Sequence, residues 1–246
     1  MYLKDIIQGG NGMKYQELAN ILKKNIENGV YIGIEKLPTE ENLIKQYQVS
    51  KYCVRNAIGI LVELGLVYPV QGSGMYIRES KREGCLSLRN TKGLTAELTG
   101  HSIVTKVIKL EKILADSKIA NRMKCRKGTP LYYIVRARSL DGNQLSVEYT
   151  YYNRELIPII DEQIAEGSLF EYVKSDMGLN IGFADKILRC DKLNKETADL
   201  LGLPEGDPAI IIEDDAYLSN GIMFNASVVY YNYKIAKFFE LAEMKW

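Results

Sequence analysis

At 246 residues, with 46% hydrophobic and 26% charged side chains, the chain has the balance of a folded protein of one large domain or two modest ones, which excludes a disordered chain. A formal net charge of +1 excludes non-specific coating of nucleic acid and leaves local basic faces open. Four scattered cysteines without a C-x-x-C, the single histidine His101, and no signal-peptide pattern or membrane-length apolar run point to a protein of the reducing cytoplasm with no metal site, no cofactor and no membrane partner.

Residues 1–12 close on Gly-Gly-Asn-Gly ahead of a second methionine, Met13, and are set aside from the fold. From Lys14, the residues Tyr15, Leu18, Ile21, Leu22 and Ile26 recur at three- and four-residue steps, the period of an amphipathic helix, which Asn28-Gly29 ends. Ile34 and Leu37 mark a short extended stretch closed by Pro38. Thr39 is a good N-cap, and acidic Glu40 and Glu41 open a second helix with Leu43, Ile44 and Tyr47 on its apolar side. Gln48-Val49 makes a turn, and Ser50 caps a third helix with Val54, Ala57, Ile58 and Leu61 as its buried stripe. Lys51 and Arg55 are four apart, as are Tyr52 and Asn56, so two rows point outward near the helix start. Gly65 ends the helix. Residues 66–70 and 75–77 read as strands joined by Gln71-Gly72-Ser73-Gly74, a tip whose glycines let backbone approach a sugar-phosphate surface. A helix start carrying Lys, Arg and Asn suits the major groove, where the cations reach guanine acceptors or phosphates and Asn pairs with adenine. The competing reading is a three-helix subdomain with a solvated basic face.

These residues resemble a GntR-family DNA-binding domain. The resemblance lies in Leu37-Pro-Thr-Glu-Glu-Asn-Leu43, Tyr47-Gln-Val-Ser-Lys-Tyr-Cys-Val-Arg-Asn-Ala-Ile58, Leu64-Gly-Leu-Val67 and Gly72-Ser-Gly-Met-Tyr-Ile77, at the family's spacing from Tyr15 to about Arg78. It implies a winged helix-turn-helix over residues 13–78, with DNA contacts from Thr39, Ser50, Lys51, Tyr52, Arg55, Asn56 and the wing at Gly72, Ser73 and Gly74. Lys51 stands where the family usually has Arg, and an ammonium lacks the bidentate fork. Glu41 also stands where an Arg is common.

The charged run after Arg78 reads as a linker, placed at 79–88. Beyond it, residues 102–111, 131–139, 145–152, 182–189, 209–217 and 222–231 are rich in β-formers, with helical stretches at 117–123, 168–175 and 195–201. An internal echo runs through them. Ala120-x-x-Met123, Gly128-Thr-Pro-Leu131 and Asp141-Gly142 recur as Ala198-x-x-Leu201, Gly206-Asp-Pro-Ala209 and Asn220-Gly221, each a helix, a tight turn and a hairpin. Two such units predict one antiparallel sheet with helices on a face, an α+β domain. Arg136 and Arg138 share a strand face, Glu148 lies on the return strand, and a helix start at Ser168 follows, a set suited to a phosphate or carboxylate. The competing reading is a solvated face with one cross-strand ion pair. Alternation splits Glu213-Asp214-Asp215 between two faces, so that run reads as a solvated strand end and not a metal site. The tyrosine pairs at 132–133, 151–152 and 230–231 read as packing residues.

The same region resembles the UTRA effector domain of the HutC subgroup, with its chorismate-lyase-like fold. The resemblance rests on Arg136-Ala-Arg138, Asp141-Gly142, Glu148-Tyr-Thr150, Gly167-Ser-Leu-Phe170, Gly178, Ala198-x-x-Leu201 and Gly221-Ile-Met-Phe-Asn-Ala-Ser227. It implies an effector-binding and dimerisation domain over 89–246, with effector contacts from Thr91, Arg136, Arg138, Glu148, Ser168, Phe170, Asn225 and Tyr231. Asn225 replaces a usual Glu, and Asn232 a usual Arg. The expectation is a homodimeric transcription regulator, a repressor released from palindromic double-stranded operator DNA by a small anionic effector such as a sugar phosphate. The alternative is a small-molecule enzyme built on the C-terminal domain, although no nucleophile–base pair is evident for it.

Overall fold

The computed structural model describes residues 13–31, 33–78, 84–88, 94, 98 and 100–240. They divide into two compact units, 13–78 and 84–240.

The first unit is three helices and a hairpin. Helix α1 (Tyr15–Glu27) buries Leu18, Ala19 and Leu22 against Leu43 of α2 (Glu40–Tyr47) and Val54, Ala57 and Leu61 of α3 (Lys51–Glu63). Helices α2 and α3 are each started by a side chain that satisfies an orphan amide: Thr39 Oγ1 accepts from the Asn42 amide at 3.3 Å, and Ser50 Oγ from the Cys53 amide at 3.1 Å. Gln48, in the left-handed region at φ 51°, turns the chain between them. Strands β1 (Val67–Val70) and β2 (Gly74–Ile77) pair antiparallel, and Lys36 bridges to Tyr76, so the extended stretch before Pro38 joins the hairpin.

The second unit is one six-stranded antiparallel sheet. Its strands are β3 (Ile103–Leu114), β4 (Pro130–Leu140), β5 (Asn143–Asn153), β6 (Ile181–Lys192), β7 (Pro208–Leu218) and β8 (Met223–Asn232), in the order β3-β4-β5-β8-β7-β6. The internal echo is the architecture: strand, helix, hairpin, twice, with the copies joined where β5 pairs β8. Helix α4 (Ser117–Arg122) belongs to the first copy. Helices α5 (Glu162–Glu166) and α6 (Leu169–Glu171) lie between the copies, and α7 (Lys195–Leu201) belongs to the second.

Helices cover both faces of the sheet and not one. Ala120 of α4, Met123 at its C-cap, and Ala198 and Leu201 of α7 pack on the face of Val135, Ala137 and Val147 and its neighbours. Ala165 of α5 and Leu169 of α6 pack on the opposite face with Ile134 and Tyr152. The expected helix at 168–175 is one α-helical turn running into a π-helical turn, Tyr172–Asp176. Helix α5, capped by Asp161, is five residues long and too short to leave a periodic signal. Leu86, within the expected linker, is 4% exposed and bridges to Phe238 in the second unit.

Candidate functional site

The outward rows of α3 stand as their spacing predicts. Lys51 and Tyr52 are exposed, Tyr52 to 72%. Arg55 is exposed as well, but its Nε donates to both carboxylate oxygens of Glu40 at 3.2 Å, which ties the helix to the start of α2. Asn56 turns its amide back onto the Tyr52 carbonyl at 2.8 Å. The hydroxyls of Thr39 and Ser50 accept from their own helix starts, so their first task is capping. At the hairpin, Gly72 and Gly74 have φ of 72° and 111°, backbone that the tight tip requires. Lys36 Nζ donates to Ser73 Oγ at 3.0 Å, Ser73 Oγ lies 2.9 Å from Tyr76 Oη, and the ammonium sits over the Tyr76 ring. This contact holds the Tyr76 phenol below its usual range.

A cavity opens on one face of the second unit's sheet. Register explains who lines it. Arg136 pairs with Glu148, Glu148 with Val229 and Val229 with Ile212, so these four share one row on one face. Two residues along each strand lies the next row, where Thr150 pairs with Ser227, Ser227 with Asp214 and Asp214 with Lys186. On the other side stand Arg138, Ser146 and Tyr231. Ser168, Leu169 and Phe170 form a wall, and Leu86, Ser87, Leu88, Leu94 and Phe238 a second one. The Leu88 amide and the Ser87 hydroxyl both donate to Glu240, which holds that segment in place.

Three guanidinium donors converge on one oxygen. Glu148 Oε2 accepts from Arg136 Nη2 at 2.5 Å and Nε at 2.9 Å, and from Arg138 Nη2 at 2.9 Å. Burial works against the Glu148 carboxylate, but the two arginines overcome it and hold the acid below its usual range. The ion pair is not solvated: the Arg136 and Glu148 side chains are 2% and 7% exposed. The two arginines differ. Arg136 Nη1 also donates to the carbonyls of Ala165 and Gly167, at 3.0 and 3.2 Å, and so pins the segment before Ser168 onto the sheet. Among the described residues Arg138 makes one bond and turns the rest of its fork to the cavity it lines. Burial, and then the neighbouring Arg136, pull the Arg138 guanidinium below its usual range.

The structure therefore gathers Arg136, Arg138, Glu148, Ser168, Phe170 and Tyr231 around one cavity. It does not bring Asn225 there. Asn225 pairs in register with Tyr152, one row beyond Ser227, and its amide donates to Thr150 Oγ1 at 2.6 Å and the Tyr151 carbonyl at 3.0 Å. Thr91 lies outside the described residues. Sequence reasoning missed Lys186, Asp214 and Ser227, which come from the second copy of the repeat.

The acidic run on β7 is not a solvated strand end. Each carboxylate has a cation: Glu213 takes Arg189 at 2.8 Å, Asp214 takes Lys186 at 2.6 Å and Asp215 takes Arg122 at 2.9 Å. Alternation sends Asp214 alone to the cavity face, where burial pushes its carboxyl upward against the pull of Lys186. The available signal was three acids embedded in an apolar strand between Ile212 and Ala216. Among the described residues no group of His, Cys, Asp and Glu is placed to hold a metal ion, and no helix is long and apolar enough to cross a membrane.

Comparison with known proteins matches both units. Residues 14–77 match the family of bacterial regulatory proteins, gntR family, and residues 98–236 match the UTRA domain. The HTH-type transcriptional regulator YydK of Bacillus subtilis is 33% identical over 226 residues, 92% of this chain and 96% of that protein. Its crystal structure superposes with a TM-score of 0.77, covering 94% of this chain and 100% of that one. The HTH-type transcriptional repressor NagR of the same organism is 25% identical, over 88% of this chain and 89% of its own.

Proposed function

Because the chain belongs to the GntR family of bacterial regulatory proteins and carries a UTRA domain behind its helix-turn-helix, we propose that it is a repressor whose grip on a palindromic operator is released by a small anionic effector. The observation that carries the effector class is the unspent guanidinium of Arg138, held in the cavity beside a buried carboxylate whose charge Arg136 already balances. An anion there gains a desolvated, charge-assisted partner.

In this reading the head spans residues 13–78, a linker 79–88 and the effector and dimerisation domain 89–246. The start of α3 enters the major groove, with Lys51, Tyr52, Arg55 and Asn56 at the bases and phosphates, while Thr39, Ser50 and the tip at Gly72, Ser73 and Gly74 meet the backbone. Arg55 exchanges Glu40 for a phosphate or guanine on docking. In the cavity Arg138, Ser168, Phe170 and Tyr231 touch the effector, and Arg136 and Glu148 hold Arg138 in place. A homodimer presents two recognition helices to two half-sites in register with the DNA turn. In this reading the chain binds its effector and does not turn it over: Glu148 is held by two arginines, and the relatives that match most of this chain are transcriptional regulators.

The test is retardation of the DNA upstream of its own gene. The full chain is expected to retard that fragment at moderate salt and to release it when a phosphorylated sugar is added. Absence of specific retardation by a folded dimer overturns the operator reading. Retardation that no anionic compound reverses overturns the effector class.

A further inference from the structure

The cavity has a second pole that the anion does not use. Lys186 Nζ contacts Asp214 Oδ2 at 2.6 Å, whereas Asp214 Oδ1 is buried and has no hydrogen-bond partner among the described residues. Both residues line the cavity. A buried carboxylate oxygen left without a donor is costly, and native proteins rarely keep one unless something else supplies the donor. The anionic group at Arg138 does not, because a carboxylate repels it.

Distance separates the two poles. Arg138 stands on β4 and Asp214 on β7, with β5 and β8 between them. That is three strand spacings, roughly 14 Å between backbones. Asp214 also lies four residues along β7 from Ile210, the residue on the row of Arg138, Ser146 and Tyr231, which adds roughly 13 Å. Extended side chains cover only about half of such a diagonal. A small inorganic anion at Arg138 falls short of Asp214, whereas a hexose-sized molecule spans the gap.

Resting on the proposal that this cavity is the effector site for a small anion, we infer that Asp214 is a specificity-determining acceptor for the end of the effector remote from Arg138. Its anionic group lies at Arg138, and a hydroxyl or amino group at its far end donates to Asp214 Oδ1. Lys186 is the positioning residue, holding the other oxygen so that Oδ1 faces the ligand.

Calorimetric titration of the full chain with hexose 6-phosphates and with n-hexyl phosphate tests this. The alkyl phosphate has similar length and the same anion but no far donor. The unaltered chain is expected to bind its tightest hexose 6-phosphate at least about tenfold more strongly than n-hexyl phosphate. Asp214→Asn turns its amide oxygen to Lys186 and its NH2 toward the ligand's donor. It is expected to lose about tenfold or more for hexose 6-phosphates and less than about twofold for n-hexyl phosphate, the second value also reporting an intact fold. Arg138→Ala is expected to weaken both ligands. If Asp214→Asn affects both ligands equally or neither, or the unaltered chain binds the alkyl phosphate as tightly as every hexose phosphate, the second pole is wrong while the anion site stands. If the unaltered chain binds neither, or Arg138→Ala keeps both, the anion reading falls and this inference falls with it.

Discussion

Arg136 spends its guanidinium on the protein, through Glu148 and the carbonyls of Ala165 and Gly167, while Arg138 two residues on makes a single bond among the described residues. Sequence spacing treats the two alike, and the hydrogen bonds separate them. Removing Arg136 leaves Glu148 buried with one cation fewer and frees the segment before Ser168. Arg136→Ala is therefore expected to cost the C-terminal unit about 3–5 kcal/mol, read from its transition in urea. Arg138→Ala leaves the Arg136–Glu148 pair intact, so its stability loss is expected to be much smaller and its main effect to fall on anion affinity. Equal destabilisation by the two substitutions contradicts this division. Acid in this site also has a buried counterpart: Asp214 and Lys186 are a second pair, whose value lies in what it presents to the cavity and not in stability.

At the scale of the element, the cavity depends on how β6 lies against β7. Their register shifts between Ile181 and Phe183, and Gly182 sits in the irregularity. A Cβ there would stand 2.8 Å from Ser219 Cα and 3.0 Å from the Leu218 carbonyl oxygen. Both neighbours are backbone, which cannot swing aside as a side chain can. Gly182→Ala is expected to lower stability by about 1–3 kcal/mol and to speed amide exchange along β6. A substitution within about 0.5 kcal/mol of neutral means that β6 accommodates the methyl by sliding. The same strand delivers Lys186 four residues later, so this glycine helps aim the pair at the cavity.

At the scale of the molecule, the proposed repressor is a linkage device. If the effector weakens operator affinity by some factor, the operator must weaken effector affinity by the same factor. Titrating the effector into the chain with and without its operator is expected to give equal ratios, and unequal ratios point to a third state or a third component. The two-unit plan behind this scheme was readable from the residues: the capped turns at Thr39 and Ser50, the Gly-rich tip and the doubled helix-turn-hairpin pattern are local signals, and local chemistry makes them. The arginine–glutamate cluster was half readable, since alternation puts Arg136 and Arg138 on one face and a hairpin brings Glu148 opposite.

By itself the sequence determined the helix starts at Thr39 and Ser50, the hairpin turns, the strand faces and the repeat, because caps, glycines and two- and 3.6-residue periods act within a few residues. Only the tertiary structure decided which strand lies beside which. The order β3-β4-β5-β8-β7-β6 sets the second copy of the repeat against the first. That pairing buries the Glu148 cluster, moves Asn225 off the cavity and turns the Asp214 of an acidic run into a cavity wall. Those outcomes depend on partners tens of residues away, and no local pattern encodes such a distance.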